Sequence, residues 1–458
     1  MYIYKMLQKI YIYLIILIIG IGILVFLYIR SLSHDKLLTR DKLLKLFKRI
    51  KLLKCNNTNK CIAFGDDKQT LNTFFEFSTF NYLENPQKRI GVASGNGFVT
   101  LFNYKRDGLE SSAVLKSSLA VYADNLFYEY IVGKVYINEQ LKYFPCFVET
   151  YSVYINNDIL TNDGIETNKS DEIRDKFKKI SDTILQNNTN IKETCSNNAK
   201  LSLLIDTVPE AIPFYDLLED QAINKAPDFL YTVINILFQI YSVLSVLQSE
   251  FTHYDLHGAN VLLYKVENNG YITMNYTKDG KIISFNTKYI AKIIDYGKSF
   301  YKISNPQNVD SSLNSSTSFY KNIISNIAEC TSVSGLYAGY YNKTKDELLA
   351  DSSYASIILN NKSHDLRLLF LVKLLINHYK ILGPISEWIK KFEVKFLDTY
   401  GTPIAESDGN PTNINNVTDA YKYMRKELET ITRPEYKDKK GTMNISLDRT
   451  IPLTLELN

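Results

Sequence analysis

The chain has 458 residues, 45% of them hydrophobic, enough for a large core without disulfide or metal staples. Its net charge of +4 is small for that length, so no nucleic-acid partner is implied. The five cysteines (Cys55, Cys61, Cys146, Cys195 and Cys330) are odd in number and scattered, which gives no disulfide framework and fits a reducing compartment.

At the amino terminus, a short tail (residues 1–10) precedes Tyr11 to Ile29, which is uncharged and almost wholly aliphatic or aromatic. As a helix it is long enough to cross a hydrocarbon core of ~30 Å, and it reads as a membrane anchor. A cleaved signal peptide is the alternative; against it stand the length of the apolar run and the lack of a small-x-small site at Arg30 to Ser33. Basic residues concentrate after the span, from Arg30 to Lys54. The positive-inside rule then predicts a single-pass membrane protein, amino terminus outside and body in the cytoplasm. Within residues 30–85, leucines interleave with Lys and Arg from Asp35 to Lys54, as in a basic amphipathic helix on an anionic membrane face or a solvated spacer.

Further along, Gly91 to Val99 places Gly95 and Gly97 between two β-like runs and ends in Val99. This is either an ordinary hairpin turn or a loop whose N–H groups cover a phosphate. Ser112 to Lys116 is an apolar strand ending in a lysine, and Asp124 opens a helical pattern that carries Glu129. Phe144 to Tyr151 and Leu201 to Val208 read as strands, separated by a polar, Asn-rich insert (156–200) with a short helix at Glu172 to Leu185. Asp228 to Gln248 is a long apolar-periodic helix. Between Lys265 and Lys288, Asn268-Asn269-Gly270 and Lys278-Asp279-Gly280 signal β-hairpins, which serve substrate contact or mere decoration. Ala291 to Lys298 is a β-rich run ending in Asp295-Tyr296-Gly297, followed by a Ser- and Asn-rich stretch from Asn305 to Ser318. His364 to Val372 opens another buried helix, with Asp365 at its start. The tail (401–458) carries Gly, Pro and Asn clusters, a short helix near Ala420 to Thr430 and a final β-like run, and is expected to be an accessory, mobile extension.

The most telling stretch is His253-Tyr254-Asp255-Leu256-His257-Gly258-Ala259-Asn260, closed by the apolar Val261 to Leu263. An Asp and an Asn five positions apart in one loop suit phosphoryl transfer, which needs a carboxylate at the attacking hydroxyl and a neutral oxygen ligand for magnesium. The stretch resembles the H-x-D-x-x-x-x-N catalytic loop of the protein-kinase-like superfamily. Asp295-Tyr296-Gly297 resembles its D-F-G, Ser112 to Lys116 its V-A-I-K, and Glu129 the helix glutamate that pairs with that lysine, all in the family's order.

That resemblance implies an α+β, two-lobed fold: a β-rich amino-terminal lobe (86–217, with the insert) and a mainly helical carboxyl-terminal lobe (218–400). It implies ATP and Mg2+ as cofactors. Asp255 would orient or deprotonate the acceptor hydroxyl, and Lys116, fixed by Glu129, would hold the nucleotide phosphates. Asn260 and Asp295 would hold magnesium, while Gly95, Gly97 and Val99 would lie over the phosphates. Pro209 to Pro213 would be the hinge that meets adenine, and Asp365 would bond the catalytic-loop backbone or simply cap its own helix. His257 joins the catalytic set because Asp255-Leu256-His257 resembles the D-L-H of aminoglycoside, choline and fructosamine kinases. Tyr254 stands where the Arg of H-R-D would fall, so control by an activation-loop phosphate is not expected. Asp124 to Asn138, the Phe-Pro run after it and the Asn/Lys/Ile/Tyr-heavy composition also look like kinase-like proteins of large AT-rich DNA viruses. Three functions follow as expectations: a membrane-anchored Ser/Thr protein kinase, a small-molecule or lipid head-group kinase, or a pseudokinase scaffold at a membrane.

Overall fold

The first sheet has one strand that alternates buried with half-buried residues and central strands that are buried almost throughout. The computed structural model describes residues 40–45, 63–322 and 358–457, less residues 43, 66, 85–87, 95–96, 119–123, 157–159, 162–163, 166–169, 180–199, 221–222, 224, 267–269, 305–309 and 397–411. Helix α1 (Asp67–Phe75) leads into β1 (Lys88–Ser94), β2 (Gly97–Arg106) and β3 (Leu109–Ser118). In β2, Phe98, Thr100, Phe102 and Tyr104 are buried while the residues between them are not, the period-2 signature of a one-faced strand. After α2 (Asp124–Ile131) come β4 (Thr150–Asn156), β5 (Phe177–Lys179) and β6 (Lys200–Asp206). The six strands form one sheet in the order β1-β2-β3-β6-β4-β5, every neighbouring pair antiparallel.

The strand expected from Phe144 begins only at Thr150. Pro145 has no N–H to give a ladder, and Phe147 makes a single isolated bridge, to Ile293. The run is apolar because it is buried in the core, not because it is a strand.

The second half mixes helices with small sheets and is organised by α4 (Phe229–Leu247), which follows the short α3 (Phe214–Glu219). Gln239 and Asn235 are the polar residues on α4 that choose its neighbours. The Gln239 amide donates to the Tyr289 carbonyl (3.0 Å) and accepts from the Ala291 N–H (2.9 Å), and Asn235 Oδ1 accepts from Thr287 Oγ1 (3.0 Å). Buried polar atoms left unpaired are costly, so these bonds set the register of helix against strand. The strands they grip belong to a run of four: β7 (Val261–Lys265), the hairpin β8 (Tyr271–Lys278) and β9 (Lys281–Thr287), and β10 (Tyr289–Ile293). β10 pairs antiparallel with β7, Val261 opposite Ile293, which brings the end of one strand beside the start of the other. Helix α5 (Arg367–His378) packs against α3 and the Gly258–Asn260 turn. The architecture is α+β.

From Thr412 to Leu457 the carboxyl-terminal tail is a built-in part of this core rather than a mobile extension. In α6 (Val417–Thr430), Val417, Ala420, Tyr421, Met424 and Leu428 are buried at helical spacing, and the helix packs on α4. Asn416 caps it, its Oδ1 accepting from the N–H groups of Thr418 (2.9 Å) and Asp419 (3.0 Å). β11 (Lys439–Ser446) then adds in parallel to β8, and β12 (Thr454–Leu457) completes a sheet ordered β9-β8-β11-β12. Arg449 grips Glu250 with two bonds of 2.9 Å, tying the tail to the residues that precede the His253 loop.

The single-pass membrane localisation expected from the amino terminus is corrected. Among the described residues one helix is long and apolar enough to cross a bilayer, and it is α4, with mean hydropathy 1.8 and 89% of its window buried inside the protein. It is apolar all round because protein surrounds it. Tyr11 to Ile29 lies outside the described residues, as does most of the basic stretch after it, so the orientation drawn from them falls away.

Met424 is fully buried between α6 and the rest of the core. Met424→Ala is expected to cost about 2–5 kcal/mol, read as a lower urea midpoint at unchanged slope. An unmoved midpoint would return the tail to accessory status.

Candidate functional site

The His253 loop is held open by a single carboxylate. Asp365 accepts from the backbone N–H groups of His253 (2.8 Å) and Tyr254 (3.0 Å), one on each oxygen. Tyr254 has φ +65°, a left-handed conformation rare for a bulky residue, and its hydroxyl is fixed on the Leu359 carbonyl (2.7 Å). Tyr241 of α4 steadies the clamp by donating to the Asp365 carbonyl (3.1 Å) and accepting from the Leu369 N–H (3.1 Å). Burial pushes the Asp365 carboxyl up to about 7, against the pull of the two N–H groups and Arg367. Asp365 therefore does more than cap its own helix.

His253 joins the loop to the strand end that carries Asp295. Its Nδ1 accepts from the Asp255 N–H (3.2 Å), so Nε2 carries the hydrogen and donates to the Ile294 carbonyl (2.9 Å). Burial lowers the ring to about 4, keeping it neutral, as that tautomer requires. The Ile294 N–H donates in turn to the Asn260 carbonyl (3.0 Å), and Phe251–Thr252 pairs with Phe300–Tyr301. Loop and strand end are thus locked at three points.

Lys116, on β3, sits among carboxylates from two other elements: its ammonium is 2.7 Å from Glu129 Oε2 on α2 and 3.0 Å from Asp295 Oδ1. Asp295 has φ +68°, so the chain turns sharply there and presents the side chain instead of continuing the strand. Burial works against the Lys116 charge, but Asp295 and Glu129 outweigh it and hold its pKa above the ordinary value. For Asp295 the balance is reversed: burial raises its pKa, Lys116 outweighs this, and the carboxyl stays ionised. Glu129 is the most enclosed, and burial pushes it up to about 7 despite Lys116 and a bond from the Tyr296 backbone.

Asp255 faces two cations. Its Oδ1 accepts from Arg367 Nη1 (2.7 Å) and its Oδ2 from Lys298 Nζ (3.0 Å). Burial alone would raise its pKa; Lys298 and Arg367 overcome that and hold it well below the usual carboxylate range. Asn260 is anchored through Nδ2, which donates to the Asp255 carbonyl (2.9 Å), so that Oδ1 is the atom that could hold a metal. His257 Nε2 lies 3.9 Å from Asp255 Oδ1, but its Nδ1 accepts from the Ala259 N–H (3.3 Å) and burial lowers its pKa. It is a neutral ring that caps the Gly258–Asn260 turn and lies nearly parallel to Tyr215.

The structure brings Lys116, Glu129 and Asp295 into contact, and Asp255, His257 and Asn260 onto one loop beside them. Val99 lies directly opposite Lys116 across the β2–β3 ladder, so the two side chains share a face of the sheet. Gly97 has a packing reason to be glycine: a Cβ there would stand 2.1 Å from the Ser117 carbonyl oxygen. Gly95 lies outside the described residues. Among the described residues no group of three or more His, Cys, Asp or Glu is gathered as a metal cage. One carboxylate (Asp295) and one amide oxygen (Asn260) suit magnesium, which keeps waters and takes much of its shell from nucleotide phosphates.

Two functional candidates escape sequence reasoning. Lys298 follows Gly297 directly, yet nothing in a linear pattern says that it turns back onto Asp255. Arg367 is two residues past Asp365, a spacing that makes sense only once Asp365 is known to sit under the loop. No family model matches the chain, and no curated protein matches it.

Each orphaned backbone N–H costs about 1–3 kcal/mol. Asp365→Ala leaves two of them and is expected to lower stability by at least about 2 kcal/mol in urea unfolding, with Asp365→Asn in between. Equal stability of all three proteins would show that the loop does not hang on this carboxylate.

Proposed function

We propose that this protein is a phosphotransferase of the protein-kinase-like type, moving the γ-phosphate of ATP to a hydroxyl group, with protein Ser or Thr as the first acceptor class. The observation that carries this is the Lys116 ammonium shared between Glu129 (2.7 Å) and Asp295 (3.0 Å), one hydrogen-bonded linkage away from the Asp255 loop. A cation held between two carboxylates of different elements is a prepared seat for nucleotide phosphates, because its geometry is set before the ligand arrives. The six-stranded antiparallel sheet leading into a half organised by α4, with Lys116 of the sheet meeting Asp295 of that half, supports the two-lobed form of the fold.

In this scheme Lys116 binds the α- and β-phosphates, and Glu129 positions Lys116. Asn260 and Asp295 hold magnesium, which when bound neutralises charge developing on the transferred group. Asp255 is a strongly ionised and therefore weak base, so its main task is to orient the acceptor hydroxyl toward phosphorus. A small hydroxylated acceptor is the second reading, favoured by the flat wall that Tyr215 and His257 form beside Asp255.

The deciding assay follows label from γ-labelled ATP with magnesium into protein and into small molecules separately. Asp255→Asn is expected to cut transfer about 100- to 10,000-fold while the protein still binds ATP. A folded parent protein that binds ATP and labels neither pool would sink the proposal. A pH series adds a second check. Glu129 takes up a proton as the pH falls through about 7 and releases one anchor of Lys116. The KM for ATP should therefore rise on acidification in the parent and stay flat in Glu129→Gln, which has no carboxylate to titrate; parallel profiles would remove Glu129 from this role.

A further inference from the structure

Asp255 carries one negative charge and holds two cations, Arg367 (2.7 Å) and Lys298 (3.0 Å). A partly buried carboxylate needs one countercharge; a second ammonium or guanidinium there gives up hydration with no anion of its own. The surplus makes sense if another anion arrives. Of the groups around Asp255, only one is suited to meet it. Arg367 is nearly enclosed, its side chain 10% exposed, and it opens α5 directly after the turn that bears Asp365, so it is a fixed neutraliser of Asp255. His257 is neutral and committed to the Ala259 N–H.

Lys298 differs from both. Its base is anchored: Ser299 beside it donates through N–H to the Tyr296 carbonyl (3.0 Å) and through Oγ to the His253 carbonyl (3.3 Å). Its ammonium sits on a flexible four-carbon stem, 26% exposed, and is three residues from Asp295. Its backbone thus lies close along the chain to Asp295, while its ammonium rests on Asp255.

We propose that Lys298 is a catalytic residue: resting on Asp255, its ammonium passes to the γ-phosphate oxygens as they take up charge, and so supplies the acceptor-side cation of the reaction. This rests on the phosphotransfer proposal above. In the step, the acceptor oxygen forms a bond to the γ-phosphorus as the bond from phosphorus to the β,γ-bridging oxygen breaks. The electron pair of the broken bond stays with ADP, and the hydroxyl proton passes to Asp255. Lys298 keeps its own protons throughout and acts by charge alone. Departure of the ammonium toward the phosphate also frees Oδ2 of Asp255 for the acceptor hydroxyl, so a single movement serves both partners.

The test uses the full chain and γ-labelled ATP with magnesium, scoring kcat and the KM for ATP alongside thermal midpoints. Lys298→Ala and Lys298→Met, the latter keeping the apolar stem, are expected to lose about 100-fold or more in kcat with little change in KM for ATP. Adding His257→Lys to Lys298→Ala supplies a lysine from the other side of Asp255, and about tenfold or greater recovery of kcat is expected. A residue that only props the fold would not be rescued from a different backbone position. Lys298 variants as fast as the parent would overturn the assignment, as would slow variants that neither Lys298→Arg nor the added His257→Lys improves. A parent protein that transfers no label at all would fail earlier, sinking the phosphotransfer proposal itself, so the two failures are told apart within one experiment.

Discussion

Everything at this site hangs from the Asp365 carboxylate beneath the His253 loop. A loop with a tyrosine at φ +65° and buried N–H groups is not a conformation the chain adopts unaided. Two backbone N–H bonds accepted by one carboxylate stabilise it, and Tyr241, itself held by the Leu369 N–H, fixes the backbone carbonyl of Asp365. With the loop so placed, Asp255, His257 and Asn260 project from one short stretch of backbone.

The site divides into two charge clusters with different balances. In the first, one cation (Lys116) serves two carboxylates, Glu129 and Asp295; in the second, two cations (Lys298 and Arg367) serve one carboxylate, Asp255. The excess negative charge lies where a divalent cation would be welcome, and the excess positive charge where a phosphoryl group would be. Such an uneven division is costly for stability alone, since each unmatched charge has been partly taken out of water. It is economical for binding a ligand that carries both metal and phosphate. His253 links the backbones that carry the two clusters, its neutral ring accepting from the Asp255 N–H and donating to the carbonyl of Ile294 next to Asp295.

Much of the candidate site's residue placement was legible because it is local. The spacing of Asp255 and Asn260, the strand ending in Asp295 and the lysine at the end of an apolar run are all read within ten residues, and the structure puts them side by side. Long-range features were less accessible. Phe144 to Tyr151 reads as a strand because burial and strand formation leave the same apolar mark, and only Pro145 hints otherwise. The tail reads as accessory because its loops are conspicuous, while the six buried positions of α6 are spread through a polar-looking helix. Gly97 reads as a phosphate-loop glycine, yet the Ser117 carbonyl 2.1 Å from its missing Cβ is a sufficient reason for it.

Hydrophobic runs posed the hardest problem, since a helix wrapped in protein and one wrapped in lipid satisfy the same composition test. For α4 the distinguishing marks were Asn235 and Gln239, polar residues that would be costly in hydrocarbon and that find β9 and β10 as partners here. By itself the sequence determined the helices and strands with clear period, the order of the charged residues along the chain, and the pairing of an Asp with an Asn in one loop. Those depend on neighbours a few positions apart. Only the tertiary structure decided which cation meets which carboxylate: Lys298 and Arg367 reach Asp255 from 43 and 112 residues away. Ion pairing depends on distance through space, and a linear pattern carries no measure of that.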